Sequence, residues 1–294
     1  MNRSLRLRQD LHASIRADVA ERTARHQAEV AKLRTVGAAL DANAPLILLA
    51  HGDSWFDYPL TGNGLPLCQT DVIAQLQTLG SPSPLILNVS HFGDAASQEM
   101  ALPKQQRLIA ALADPANWGP SGKPDAILFS GGGDDIAGDQ FCIFLDANTP
   151  GSTGLDQQRF NDALGMVEAS FLDLFAFRDR HASGAPILAH DYDFPIPNGV
   201  HPLCAGPWLQ PSLAYMGWTD VADGARIVRT ALEGFSQLLT RLAGAAANGF
   251  HLVHTQGTLA PSEWANELHP KPEGFGAIAK TYVAALGAMF GGRI

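Results

Sequence analysis

The sequence predicts an α/β fold, a three-layer α/β/α sandwich built on a parallel sheet. Five short runs are apolar throughout, at 46–51, 85–90, 126–130, 187–191 and 251–254. Stretches with helical periodicity alternate with these runs, at 70–79, 96–113, 156–180, 221–244 and 272–289. Apolar strands that alternate with helices are typical of a parallel sheet that is covered on both faces. We therefore expect the functional loops at the carboxyl ends of the strands.

Ahead of the first strand, residues 5–40 are predicted to form a helical arm. Leu7, Leu11, Ile15 and Val19 recur every four residues, which is the spacing of one helix face. The arm is basic, but acids interleave with its bases and it lacks aromatic anchors, so a membrane-surface helix is disfavoured. We expect a solvated helix or a contact between copies in a homo-oligomer. The predicted organisation is an arm over 1–42 and one α/β domain over 43–294.

Composition and charge narrow the class of protein. The 294 residues are 46% hydrophobic and carry a net charge of −9, which suits a globular core and argues against a nucleic-acid partner. The sequence contains no run of 18 apolar residues, so no membrane span is expected. The start of the chain lacks an apolar signal region, and Cys68, Cys142 and Cys204 lack metal-ligand spacing. We expect a cytoplasmic protein with reduced thiols and no metal; export would instead permit one disulfide.

Two long segments do not fit the alternation of strands and helices. Residues 135–155 and 193–220 each follow a strand end and are rich in Gly, Pro and aromatic residues. Loops of this length in a compact domain are usually functional or disordered, and the aromatic content favours order. We predict that both segments form walls of a substrate pocket, with Trp208 and Trp218 covering it.

Four chemical signals fall where a site would be expected. Ser54 follows the first strand in HGDSW, Gly93 follows the second in SHFGD, Asp134 follows the third in SGGGDD, and His269 precedes the last helix in NELHP. Each signal alone has a structural explanation in turn chemistry, and GDSW is not the G-x-S-x-G elbow. A phosphate loop is disfavoured because the lysine of that motif is missing. A divalent metal site is disfavoured because two adjacent carboxylates alone are a poor set of metal ligands. The four signals occur in this order after three successive strands and before the last helix. Together they favour a site with a nucleophile, oxyanion donors and a base.

These segments resemble the four sequence blocks of the SGNH (GDSL-type) hydrolase family, which read Gly-Asp-Ser, an isolated Gly, Gly-x-Asn-Asp and Asp-x-x-His. They span residues 52–269, and the strands are similar to that family's flavodoxin-like five-stranded sheet, with order 2-1-3-4-5. The resemblance implies that Ser54 attacks a carbonyl carbon, that His269 takes its proton, and that water releases the acyl-enzyme. It also implies an oxyanion hole from Ser54, Gly93 and the residue at 134. The protein itself supplies every group, so no cofactor is expected.

Two positions depart from these blocks. Asp134 stands where the family has Asn, and an ionised carboxylate accepts hydrogen bonds and repels an oxyanion. A protonated Asp134 could donate, which predicts an acidic activity optimum; otherwise backbone donors support the rate, or the segment serves another role. Asn266 stands where the family has the acid that orients the base. A Ser–His dyad supported by Asn266, Glu267 or a main-chain carbonyl is our working hypothesis.

Candidate substrate contacts complete the sequence-based site. Asp53, Trp55, Asp135 and Trp208 are predicted to contact substrate, although aromatic residues there are equally typical of a core. We expect a small-molecule ester as partner, and hydrolysis of carboxylic esters or thioesters of small or moderate size. Two alternatives stay open: an acyltransferase with the same chemistry, and a non-catalytic binding protein on the same scaffold.

Overall fold

The computed structural model describes residues 3–35, 44–58, 70–200 and 206–294, with side chains of the first helix from residue 13 onward. Five parallel strands form one sheet in the order β2-β1-β3-β4-β5. The strands are β1 (Ile47–Gly52), β2 (Leu85–Asn88), β3 (Ala126–Ser130), β4 (Ile187–His190) and β5 (Phe250–Val253). The five predicted strands and their order are confirmed.

Burial along each strand follows its place in the sheet. Every residue of β1, β3 and β4 is buried, because these strands pair on both sides and are covered on both faces. The edge strand β5 buries Phe250 and Val253 and exposes His251. The register aligns the strand ends, with Gly52 beside Ser130. The carboxyl ends of the central strands therefore meet at one edge of the sheet.

Nine α-helices lie in the described part of the chain. They are α1 (Arg3–Thr35), α2 (Val72–Leu76), α3 (Ala96–Glu99), α4 (Leu102–Ala113), α5 (Gly133–Ile136), α6 (Gln157–His181), α7 (Gln210–Tyr215), α8 (Val221–Gly244) and α9 (Pro272–Phe290). The predicted helix over 96–113 is two helices, interrupted at Met100 and Ala101. Pro103 lies in the first turn of α4, where a missing N–H is tolerated.

The helices cover both faces of the sheet. On one side α2 packs against α9, and α9 contacts β5; on the other side α6 packs against α3, α4 and α8, and α8 contacts β5. Phe129 of β3 packs edge-on against Phe171 of α6, with ring centroids 5.2 Å apart. On the α9 side, the hydroxyl oxygen of Tyr282 lies 2.9 Å from Nδ1 of His190. The structure is the predicted three-layer α/β/α sandwich.

The N-terminal helix packs on the α/β domain. Val19 and Val30 join the hydrophobic core, and Nε2 of His26 lies 2.8 Å from the carbonyl oxygen of Asn117. Arg22 pairs with Asp57 at 2.9 Å. The helix also contacts the edge strand β2, which is one way that proteins protect a sheet edge. The part of the helix from Val19 to Val30 therefore packs against the α/β domain. The side chains of Leu7 and Leu11 lie outside the described residues.

The structure describes one of the three cysteines. Cys68 and Cys204 lie outside the described residues, whereas Cys142 carries a free thiol. Within the described ranges, no helix combines the length and the apolar character that a membrane crossing requires.

Candidate active site

The turn after β1 holds Ser54 at the carboxyl edge of the sheet. A Cβ on Gly52 would lie 2.4 Å from the carbonyl oxygen of Ser130, so only glycine allows β1 and β3 to approach this closely here. The side chain of Asp53 accepts hydrogen bonds from the Trp55 N–H at 2.9 Å and from the Ser130 hydroxyl at 2.6 Å. Asp53 is thus a buried brace of the turn, and Ser54 is presented with 8% of its surface exposed.

His269 is placed as the partner of Ser54. The Ser54 Oγ lies 2.7 Å from Nε2 of His269, and Nδ1 of the same ring lies 3.0 Å from Oδ1 of Asn266. Oδ1 of Asn266 also accepts the backbone N–H groups of Leu268 at 3.0 Å and His269 at 2.9 Å. Because those two groups can only donate, the atom facing them is the amide oxygen.

The Asn266 network therefore fixes the tautomer of the base. An amide oxygen accepts, so Nδ1 of His269 carries the hydrogen and Nε2 offers its lone pair to the Ser54 hydroxyl. The Asn266 amide donates in turn to the Tyr58 hydroxyl at 3.2 Å. Burial lowers the pKa of His269 to about 3, so the ring is in the neutral form that can accept a proton.

Glu267 does not support the ring of His269. Its fully buried carboxylate accepts backbone N–H groups across the site, from Gly199, Trp208, Leu209 and Gln210. Of the supports left open by the sequence, Asn266 is the one that the structure brings to the imidazole.

Asp134 lines the same cavity as Ser54 and His269. It lies in the first turn of α5, and its Oδ2 is buried without a hydrogen-bond partner among the described residues. Burial, together with the nearby carboxylates of Asp53 and Asp135, raises the pKa of Asp134 well above its ordinary value. The protonated form, which can donate a hydrogen bond, is therefore favoured.

Two further buried acids lie near Asp134. Burial raises the pKa of Asp53 to about 6, against the opposing effect of its hydrogen bonds from Ser130 and Tyr192. Burial first, and the charges of Asp53 and Asp134 second, raise the pKa of Glu99 well above its ordinary value. Oε2 of Glu99 lies 2.7 Å from Nε2 of His51, whose pKa is lowered to about 3 by burial. Charge is thus disfavoured throughout this part of the site.

The cavity is narrow and its walls are mainly apolar. Its volume is about 50 Å³. The apolar side chains come from the 135–155 and 193–220 segments, from α8 and from the loop before α9, and include Ile136, Phe141, Leu209, Val228, Leu232 and Trp264. Both long segments thus contribute to the cavity wall.

The predicted substrate contacts have different placements. Trp55 lines the cavity, and its indole N–H donates to the Leu268 carbonyl at 3.1 Å, linking the nucleophile turn to the base loop. The ring of Trp208 stands edge-on to His269, with centroids 5.5 Å apart. Asp53 also lines the cavity, but its carboxylate is engaged in the turn. Asp135 is not brought to the cavity lining; it accepts the Ala96 N–H at 2.6 Å.

Two more residues lie away from the cavity lining. Gly93 is an exposed residue of the turn after β2, with a φ of +76°. Its assignment as an oxyanion donor stays a prediction. Trp218 donates to the Asp146 carbonyl at 2.8 Å and so joins the two long segments. The sequence predicted that Trp218 covers the pocket; in the structure it links the two segments of the pocket wall.

Sequence reasoning missed Tyr192. The hydroxyl of Tyr192 donates to Asp53 beneath the nucleophile turn, and Tyr192 has a φ of +53°. A non-glycine residue in that conformation is uncommon and gives no signal in the sequence. The neighbouring Asp191 and Asp193 use their carboxylates within the fold. Both accept backbone N–H groups of the loop after β5, including that of Thr255 at 2.7 Å.

The described residues contain no group of three or more His, Cys, Asp or Glu side chains that could hold a metal ion.

No protein-family model and no curated protein matches the chain. Similar solved structures include an extracellular lipase from Streptomyces rimosus, 15% identical, covering 82% of this chain and 98% of that chain with a TM-score of 0.49. A carbohydrate acetylesterase from Sinorhizobium meliloti is 13% identical, with coverages of 82% and 98% and a TM-score of 0.46. A member of the lipolytic protein G-D-S-L family from Veillonella parvula is 14% identical, with coverages of 81% and 96% and a TM-score of 0.40. Lipases and esterases, among them a G-D-S-L protein, are therefore included in the solved structures that this chain resembles.

Proposed function

We propose that the protein is a serine esterase that cleaves carboxylic esters or thioesters through an acyl-enzyme on Ser54, with His269 as general base. The observation that carries this proposal is the 2.7 Å contact between the Ser54 hydroxyl and Nε2 of His269, on a ring whose tautomer Asn266 fixes. Nucleophile and base within hydrogen-bond reach, with a third group orienting the base, form the arrangement that nucleophilic catalysis needs. The SGNH resemblance of the sequence supports the same reaction.

The reaction begins as Oγ of Ser54 bonds to the carbonyl carbon and its proton passes to Nε2 of His269. The tetrahedral intermediate collapses when the carbon–oxygen or carbon–sulfur bond breaks, and His269 gives the proton to the leaving alcohol or thiol. Water then attacks the acyl-enzyme by the same route. His269 takes the water's proton and returns it to Oγ as the acid departs, so the enzyme is regenerated.

The oxyanion is held by donors at the carboxyl edge of the sheet. We assign the backbone N–H groups of Ser54 and Gly93, with protonated Asp134 as a side-chain donor where the SGNH blocks have Asn. The unpartnered Oδ2 of Asp134, which lines the same cavity as Ser54, supports this assignment. A preorganised donor of this kind is typically worth about 10²–10³ in rate.

Covalent labelling tests the proposal. Intact-protein mass spectrometry after treatment with a fluorophosphonate should show a single adduct on the wild type and none on Ser54→Ala. Ser90→Ala is the matched control, because Ser90 is a fully buried serine just after β2 and lies outside the cavity lining. Ester hydrolysis should fall by at least about 10³-fold in Ser54→Ala. An adduct that persists in folded Ser54→Ala, or a folded wild type that never reacts, would overturn the assignment.

The same experiment addresses the alternatives. A non-catalytic binding protein would remain unlabelled at every pH, and the contact between Ser54 and His269 favours catalysis over that alternative. An acyltransferase would be labelled but would pass the acyl group to an added alcohol, so product analysis with and without the alcohol separates it from a hydrolase.

A further inference from the structure

One buried carboxylate joins the base loop to the wall of the cavity. Glu267 precedes His269 by two residues and is 0% exposed. Its Oε1 accepts the N–H groups of Gly199 and Gln210, both at 3.0 Å. Its Oε2 accepts those of Trp208 at 2.6 Å and Leu209 at 2.9 Å. Four backbone donors thus converge on a side chain that the proposed reaction does not use.

Two of the anchored residues, Trp208 and Leu209, lie at the site. The Trp208 ring stands edge-on to His269, and Leu209 lines the cavity beside Ser54. Hydrogen bonds to a carboxylate are stronger than bonds between neutral groups, so this connection holds both residues firmly. The distance between base and cavity wall is therefore set through Glu267.

We propose that Glu267 is a positioning residue that fixes Trp208 and Leu209 against His269 and so restricts the enzyme to short acyl groups. The inference rests on the proposed esterase function and adds its substrate class. A cavity of about 50 Å³ has room for a few water-sized groups. That corresponds to an acyl chain of about two to four carbons.

Glu267→Gln changes the bonding with little change in size. A carboxylate offers lone pairs to all four N–H groups, whereas the amide has one oxygen and an NH₂ group that would face two donors. The two hydrogen bonds to the replaced oxygen are lost, and the segment that carries Trp208 and Leu209 is held less firmly to the loop of His269. Longer acyl chains then gain room, and short ones lose their alignment.

The test compares p-nitrophenyl acetate, butyrate and octanoate as substrates, with active enzyme counted by fluorophosphonate titration. In Glu267→Gln, kcat/KM for the acetate should fall by about tenfold to a hundredfold, since a small misplacement near the base is costly. The octanoate-to-acetate ratio of kcat/KM should rise by about tenfold or more. Leu209→Ala, which opens the wall without touching Glu267, should raise the same ratio.

Asp125→Asn is the matched control. Asp125 is likewise a carboxylate bound to a backbone N–H, that of Ile47 at 2.8 Å, and it pairs with Arg293 at 2.8 Å where β1 and β3 begin. This change should lower thermal stability and leave the chain-length ratio as in the wild type. A loss caused by destabilisation alone would affect both variants and all esters alike.

Hydrogen exchange supplies a readout that is independent of catalysis. The amides of Trp208, Leu209 and Gln210 should be protected in the wild type and in Asp125→Asn, and should exchange about tenfold faster or more in Glu267→Gln. Unchanged protection, or an unchanged chain-length ratio in Glu267→Gln and Leu209→Ala, would overturn the inference while labelling of Ser54 persists. A wild type that is neither labelled nor active would instead overturn the esterase proposal, with the exchange result still deciding whether Glu267 positions the segment.

Discussion

Two groups of buried side chains line or adjoin the cavity, and they differ in how their polar atoms are satisfied. The base network consists of Tyr58, Asn266 and His269, in which each ring nitrogen and both amide atoms have partners. The acid cluster consists of Asp53, Glu99 and Asp134, and Oδ2 of Asp134 has no partner among the described residues. In the first group hydrogen bonds orient neutral side chains, whereas in the second group burial raises the pKa of each carboxyl group.

In both groups burial disfavours the charged form of the ionisable side chains. Burial lowers the pKa of His269 to about 3 and raises that of Asp53 to about 6. Asp134 shifts upward for the same reason. On the acid side of neutrality the base can therefore be unprotonated while Asp134 still holds a proton. At higher pH an ionised Asp134 would repel the oxyanion that the proposed reaction forms.

The largest effect is expected from replacing Asp134, which lines the cavity and whose Oδ2 has no hydrogen-bond partner among the described residues. Asp134→Asn supplies a side-chain donor that does not depend on pH. We expect kcat/KM of Asp134→Asn relative to the wild type to rise with pH, by up to about 10²–10³-fold once the wild-type carboxyl is ionised, which is the usual worth of one oxyanion donor. At the acid end of the profile, while the wild-type carboxyl still holds its proton, the two proteins should differ little. A pH profile of kcat/KM measures both quantities.

Asp135→Asn is the control for this change. Asp135 is the adjacent acid, but it binds the Ala96 N–H and does not line the cavity. Its replacement should keep the fall in kcat/KM at high pH but move it to lower pH, because the charge of Asp135 no longer raises the pKa of Asp134. If Asp134→Asn lost activity at every pH, the carboxyl group would have a role other than that of an oxyanion donor.

A smaller effect is expected from adding charge to the base network. Asn266→Asp places a carboxylate on Nδ1–H of His269, and the Tyr58 hydroxyl can then donate to it instead of accepting. An opposite charge at this distance favours imidazolium, so the pKa of His269 rises and the transition-state charge is stabilised. We expect kcat/KM above pH 7 to rise about tenfold and the acidic limb of the profile to move to higher pH.

Tyr58→Phe separates the charge from the hydrogen bond to Tyr58. It removes the partner of the Asn266 amide and adds no charge, so the acidic limb should stay in place. Titration of the His269 ring by NMR gives the pKa directly. An unchanged pKa of His269 in Asn266→Asp would show that the new carboxyl group is protonated.

The sequence was sufficient to predict the five strands and the contact between Ser54 and His269. The apolar runs predicted five strands, and the resemblance of GDSW and NELHP to the SGNH sequence blocks predicted that Ser54 and His269 interact. The split of the 96–113 helix at Met100 was missed, since its residues keep a helical pattern and only Pro103 signals a new start.

Contacts between loops were beyond the sequence. Glu267 is next to Asn266 in the chain, yet its partners lie at Gly199 and over 208–210, which no local pattern connects to it. The support of Asp53 by Tyr192 likewise spans 139 positions and depends on a positive φ. Such contacts depend on how the loops fold over the sheet, and residue type alone does not specify that.

The smallest effect is a difference in how stability depends on pH. The folded pKa of Asp134 is raised, so its contribution to stability is full below the unfolded pKa and is lost as pH rises through the folded value. The folded pKa of His269 is lowered from 6.5 to about 3, so its contribution is present above 6.5 and is lost as pH falls toward 3. The two groups therefore pull the pH dependence of unfolding in opposite directions.

Thermal unfolding of three proteins between pH 4 and pH 8 measures this difference. The Tm of Asp134→Asn relative to the wild type should be more favourable at pH 8 than at pH 4, by about 2–5 °C. That of His269→Gln should be more favourable at pH 4 than at pH 8 by a similar amount, because hydrogen bonds lost at both pH values cancel in the comparison. His251→Gln, which replaces an exposed residue of β5, should change neither. Slopes of the same sign for Asp134→Asn and His269→Gln would contradict the contrast between the acid cluster and the base network.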